Sequence, residues 1–230
     1  MKTFDKDLYR LPSGKNVEFE FYGHASLSIA YDGMVMYIDP VSTEADYTQL
    51  PKADIILVTH EHNDHFDKNA IENISSQNTI LITNTDKIIL NTDKIITDTN
   101  KIVLNTHETF KNKNKDITIT AFAAHNTTAG RDKFHPTNRD NGYLITIEGF
   151  RIYVSGDTEM VEDDARIKNC DILFLAVNQP YTMTIEQAEH FAAVICPKVF
   201  YPYHTTDTDM DKLKETFAKY DFKTIIHQMQ

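Results

Sequence analysis

The sequence predicts an α/β protein built from two packed sheets with helices on the outside. Three observations predict it. Short runs rich in Ile, Val, Thr, Phe and Tyr recur along the chain and have the length and composition of strands. Hairpin turn signals, Asp32-Gly33 and the weaker Glu148-Gly149, each separate two such runs. Helical patterns are few, and the better ones lie late in the chain, so hairpins come first and strand–helix units follow. With 230 residues, 41% hydrophobic and 25% charged, the chain can bury a core without disulfides and is expected to form a single domain over residues 1–230.

Taken in order, strands are expected at residues 17–22, 26–31, 35–38, 55–59, 79–83, 117–123, 142–147, 152–155, 172–176 and 199–202. A short helix is expected at 68–74. A better one starts at Thr184, where Thr184 and Gln187 make a capping box, and stops near Ile195 before Pro197. A third, at 209–220, sets Leu213, Phe217 and Tyr220 on one face. Residues 84–104 hold a seven-residue repeat in three copies, N-T-D-K-I-I-L, N-T-D-K-I-I-T and D-T-N-K-I-V-L. Its β-branched residues and recurring Thr, Asn and Asp suit strands punctuated by turns better than a coiled coil. It offers no ligand cluster.

A formal net charge of −11 disfavours a nucleic-acid partner. The lysines of K-N-K-N-K at 111–115 form a solvated turn before a strand. Cys170 and Cys196 make neither a disulfide framework nor a zinc-ribbon pattern and are expected as reduced core thiols. The first residues lack an apolar stretch of signal-peptide type, and no run is long enough to cross a bilayer. The expected setting is cytoplasmic, with a small-molecule substrate and no membrane; self-association is left open.

The chemistry concentrates in T-H-E-H-N-D-H at 59–65, directly after an apolar run. His60, His62, Asp64 and His65 are four ligand-type residues within six positions. Buried imidazoles cost free energy without partners, and clustered ones repel when protonated; a divalent cation relieves both. In an extended segment His60 and His62 point to one side, and a turn at Asn63-Asp64 lets Asp64 and His65 face a second position nearby. His125, Asp157 and His204 each follow another apolar β-run, at strand ends of the kind where α/β folds gather their sites.

These motifs resemble the metallo-β-lactamase superfamily. T-H-E-H-N-D-H matches its H-x-H-x-D-H signature, and Y-G-H-A-S at 22–26 is similar to the G-H-A-S opening of its lactonase-like and uncharacterised metal-dependent hydrolase branch. I-D-P at 38–40, A-H-N at 124–126, S-G-D-T at 155–158 and P-Y-H at 202–204 follow in the family's order. The resemblance covers nearly the whole chain. It implies a four-layer αββα sandwich and a binuclear site in which His60, His62 and His125 bind one metal, Asp64, His65 and His204 bind the other, and Asp157 bridges. Zinc is the expected pair of ions, with manganese and iron as alternatives. The ligand set contains no cysteine, unlike many true β-lactamases, which argues against antibiotic hydrolysis.

The expected reaction is hydrolysis of a lactone or other ester by a water that two cations activate, with Asp64 orienting it. Small phosphodiester cleavage is the alternative, followed by a di-iron redox protein and a non-catalytic metal-binding protein on the same fold. The resemblance places His24 near the metals as a substrate or proton-transfer residue, and Asp39 is expected to orient a ligand imidazole. His135 falls in a loop that reads as solvated but could line the pocket, with Arg139 poised for an anionic group. Asn178 and Gln179 follow another strand end and suit substrate recognition or a plain turn. His107, His190 and His227 have no supporting context.

Overall fold

The computed structural model describes residues 3–85, 100–161 and 166–229. These form two compact units, Met1–Leu104 and Asn105–Gln230, each built on a seven-stranded sheet.

The N-terminal sheet runs in chain order through β1 (Asp5–Arg10), β2 (Asn16–Gly23), β3 (Ser26–Tyr31), β4 (Met34–Ile38), β5 (Ile55–Leu57), β6 (Ile80–Thr83) and β7 (Lys101–Val103). The first four pair antiparallel, and β4 through β7 pair parallel. The hairpin between β3 and β4 turns on Asp32 and Gly33, both at positive φ (49° and 77°), as a two-residue turn of matching twist requires. Register sets Phe19, Ile29, Met36, Ile55 and Ile80 in one row across the sheet. On the other face Tyr37, Ile56 and Leu81 form a row that packs with Tyr22 and Tyr47 against Ala70, Ile71 and Ile74 of helix α1 (Lys68–Ile74). Burial against these aromatic neighbours pushes the Tyr37 hydroxyl up to about 12. Asp67 caps α1: its Oδ1 accepts from the backbone N–H of Asn69 and Ala70, and its Oδ2 from Ser42 N–H.

The C-terminal sheet has the same plan. Its strands are β8 (Thr109–Asn112), β9 (Ile117–Ala124), β10 (Asp140–Ile147), β11 (Phe150–Val154), β12 (Ile172–Ala176), β13 (Val199–Tyr203) and β14 (Lys223–Thr224). Again the first four pair antiparallel and the rest parallel. Glu148 and Gly149, at φ 48° and 85°, turn the hairpin between β10 and β11. Helix α2 (Ile185–Ile195) crosses from β12 to β13 and starts at the expected capping box; α3 (Met210–Phe217) follows β13. Phe191, Ile195, Leu213 and Phe217 from these helices pack on Leu173, Leu175 and Phe200 of the sheet.

Expectation and structure part mainly at sheet edges. β1, β8 and β14 are edge strands whose polar, partly exposed residues show no apolar alternation. The K-N-K-N-K stretch begins inside β8 and only then turns. Most of the seven-residue repeat lies outside the described residues; in its last copy Lys101–Val103 forms β7, a strand as expected. Cys196 corrects the expectation of two core thiols: it caps α2 at a left-handed φ of 53° and is exposed. Cys170 is buried, and burial pushes its thiol up to about 12. No helix among the described residues is long and apolar enough to cross a membrane.

Candidate metal centre

In the N-terminal unit the parallel strands deliver their polar residues at the carboxyl end. The expected strand through Thr59 ends at Leu57, although Val58 N–H still reaches Ile82 O at 2.9 Å. Thr59 leaves the sheet because its N–H donates to Asp39 Oδ1 at 2.8 Å, the first residue past β4. A turn then closes with the N–H groups of His65 and Phe66 both on His62 O. It brings the ring of His60 to 4.5 Å from that of His62 and 4.1 Å from that of His65.

Asp39 organises this cluster. It is fully buried, and its Oδ2 accepts from Thr59 Oγ1–H at 2.7 Å and from His65 Nδ1–H at 2.7 Å. Thr59 Oγ1, its proton committed to Asp39, can only accept from His60 Nδ1–H at 3.0 Å. Both imidazoles therefore carry their proton on Nδ1 and present the Nε2 lone pair, the form a metal takes. His24 Nε2 lies 3.3 Å from Asp64 Oδ2, and one donor atom each of His24, Asp64 and His65 lie within 4.8 Å of one another. Asp64 is half exposed, open to solvent.

In the C-terminal unit the donors come from separate strand ends. Asp157, three residues beyond β11, has His204 Nε2 at 3.2 Å and His135 Nε2 at 3.4 Å from its Oδ2. The solvated-loop expectation for His135 is corrected: the residue is 1% exposed, and its Nδ1 meets Asp140 Oδ2 at 3.1 Å. Arg139 does not wait for an anionic ligand either. Its Nε and Nη2 grip the two oxygens of Asp140 at 2.6 and 2.8 Å. His125 is held by its backbone, with its N–H and carbonyl both bonded to Thr158 Oγ1; its Nδ1 is buried without a hydrogen bond. Asn178 is 5% exposed and faces His204, and the Gln179 amide donates to Thr182 O.

Thr59, Asp140 and Glu159 are the contributors the sequence did not point out. Glu159 is buried and accepts from the N–H of Thr127 and Thr128 and from Arg131 Nη1. Burial alone would raise its pKa; the bonds from Thr128 and Thr127 outweigh that and lower it to about 2. It anchors the loop that carries His135. A D-x-E spacing after a strand was the available signal.

Three of these residues, His24, Asp39 and His204, have left-handed φ values of 49°, 44° and 52°, which cost free energy in non-glycine residues and cluster where function holds them. The donor chemistry fits divalent cations. His135 sets Nδ1 against Asp140 and Nε2 toward Asp157 Oδ2, which His204 Nε2 also faces; two imidazoles converging on one carboxylate are a donor set of the kind divalent cations take. A cavity of about 730 Å³ in the N-terminal unit, lined by Glu20, Glu44, Asp46, Tyr47 and Leu50 among others, contains none of the imidazoles and is separate from this chemistry.

Comparison with known proteins agrees. A family model described as a beta-lactamase superfamily domain matches residues 18–204. A UPF0173 metal-dependent hydrolase of Methanosphaera stadtmanae is 30% identical over 214 residues, covering 88% of this chain and 90% of that protein. A crystal structure of a candidate metal-dependent hydrolase from Parabacteroides distasonis is 41% identical with a TM-score of 0.90, over 99% of this chain and 100% of that one. Igni18, a metallo hydrolase from Ignicoccus hospitalis, shares the fold at 20% identity and a TM-score of 0.76, over 92% and 95%. The fold class is thus the four-layer αββα sandwich the sequence led us to expect. The chain belongs to the metallo-β-lactamase superfamily, among its metal-dependent hydrolases.

Proposed function

We propose that this protein hydrolyses a small uncharged ester, a lactone foremost, at a centre of two divalent cations, zinc first. The observation that carries this is the Asp39–Thr59 pair, which sets the tautomers of His60 and His65 so that both present Nε2. The proposed ligands are His60, His62, Asp64 and His65 from the N-terminal unit and Asp157 and His204 from the C-terminal unit. For the remaining imidazole we take His135 in place of the expected His125, because His135 stands beside Asp157 with its Nδ1 already committed. Cations held there would supply a water of lowered pKa and would polarise the bond under attack.

The chain's own residues divide the rest of the work. Asp64, half exposed, accepts a hydrogen bond from the attacking water and orients it. His24, 3.3 Å from Asp64, receives or returns a proton. An ester is preferred to a phosphodiester because two arginines of the loop that carries His135 are engaged: Arg139 binds Asp140 and Arg131 binds Glu159. The net charge of −11 supports a small substrate over a nucleic acid. A cytoplasmic setting accords with two cysteines that form no disulfide.

The test is metal analysis of purified protein together with a panel of lactones, esters and phosphodiesters. About two metal equivalents and turnover of a lactone or ester are expected. Absence of bound metal at neutral pH would overturn the proposal, and turnover of phosphodiesters alone would overturn the substrate class. H135A should lose one equivalent while H125A keeps both; the reverse result would restore His125 as the ligand.

A further inference from the structure

His60, His65 and His135 each have an oxygen partner for Nδ1: Thr59, Asp39 and Asp140. His204 has Asn178, whose side-chain amide lies 3.5 Å from His204 Nδ1, at the outer limit of a hydrogen bond. The amide nitrogen faces the ring, and the amide oxygen is buried with no hydrogen bond. A buried carbonyl oxygen left unbonded destabilises the fold. The oxygen and nitrogen of an amide are distinguished only by their hydrogen-bond partners. Rotating the amide by half a turn places Oδ1 against Nδ1 and gives the orphaned oxygen a donor.

The backbone holds Asn178 in position for this. Its N–H donates to Thr182 Oγ1 at 2.7 Å, and its carbonyl accepts Thr182 N–H at 2.7 Å. Val177 N–H, one residue earlier, bonds to Tyr203 O, which fixes the end of β12 beside the end of β13. Asn178 is thereby set next to His204 by two parallel strands and a closed turn.

We propose that Asn178 is a positioning residue: its amide oxygen accepts His204 Nδ1–H and holds His204 with its Nε2 lone pair toward Asp157. This rests on the proposed metal centre and assigns Asn178 a role other than substrate recognition. It also sets His204 apart from His65 and His135. Asp39 and Asp140 back their imidazoles with a carboxylate, which makes the ring a stronger donor to a metal; Asn178 backs His204 with a neutral dipole, as Thr59 backs His60.

The experiment is zinc titration by calorimetry, with histidine-selective 15N NMR of the same samples, on wild type, N178L and N178D. In wild type the His204 Nδ1–H is expected to be protected from exchange. N178L, which keeps the shape and removes the acceptor, should lose that protection and weaken one zinc equivalent about 10- to 100-fold. N178D, which can only accept, should retain the proton and bind that equivalent at least as tightly as wild type. A folded N178L with unchanged affinity for both equivalents would overturn the assignment. So would an N178D that loses affinity, and this arm decides should N178L not fold. Wild type that takes up no zinc would sink the proposed function instead; the metal-free spectrum would still decide Asn178, by whether Nδ1 carries the proton in wild type and N178D and ceases to do so in N178L.

Discussion

The two units share one topology and use it differently. In each, four antiparallel strands lead into three more that pair parallel, and polar residues follow the strands at that change of direction. In the N-terminal unit one turn of seven residues, Thr59 to His65, supplies every proposed ligand, and Asp39 braces it from the next strand. In the C-terminal unit Asp157 and His204 follow β11 and β13, and His135 comes from the loop before β10. A contiguous turn needs one buried carboxylate to order it. Dispersed donors need several anchors, and these are present: Asp140 with Arg139, Glu159 with Arg131, and Asn178 with Thr182.

The largest effect is expected at Asp157, which both dispersed imidazoles face. D157A should lose one metal equivalent and lower turnover by about a thousandfold or more, since a cation-activated water carries most of the rate; full activity with full metal content would refute it. In the N-terminal unit D39A should weaken metal binding about 10- to 100-fold and also destabilise the fold, because three buried donors lose their acceptor. Calorimetry and thermal melting report the two effects separately, and a loss of neither would mean that the turn orders itself.

Glu159 anchors the C-terminal loop as a carboxylate, so its contribution depends on pH. Its folded pKa is lowered to about 2, so its stabilising contribution is complete above the ordinary carboxylate pKa near 4.5 and disappears as pH falls through 2. In urea unfolding, wild type should exceed E159Q by on the order of 3 kcal/mol at pH 7, with the gap closing toward pH 2; a gap independent of pH would remove the ionic anchor from the account. Gly142 tests packing beneath the same residues. A Cβ there would stand 2.7 Å from Ser155 O and 3.0 Å from Val154 O, in the backbone leading to Asp157. G142A should cost about 1–3 kcal/mol, seen as a lower melting temperature, and an unchanged melt would show that this backbone yields. The smallest effect is at the cysteines: a thiol reagent should label exposed Cys196 in the native protein and reach buried Cys170 only on unfolding.

Much of this was legible in the chain. The central strands were, because parallel strands buried on both faces read as unbroken apolar runs, as in Ile172–Ala176. So was α2, whose cap is a local interaction between Thr184 and Gln187. The edge strands were not: an edge strand lacks one neighbour and carries charge, so Asp5–Arg10 resembles a loop. In the site, His60 to His65 stood out because four ligand types fall together in sequence. His135 did not, since its buried partner Asp140 sits five residues on, in a stretch that reads as polar loop.

The sequence by itself determined the class of chemistry. Residue types and local spacing decide which side chains can ligate a metal, and these are properties of the chain. Tertiary structure alone decided that the Nδ1 atoms of His60 and His65 face oxygen partners, that His135 Nε2 lies 3.4 Å from Asp157, and that Arg139 is bound within the protein. Those outcomes depend on partners brought from distant positions, Asp39 to His65 across 26 residues and Asn178 to His204 across another 26, and only the folded backbone sets such distances.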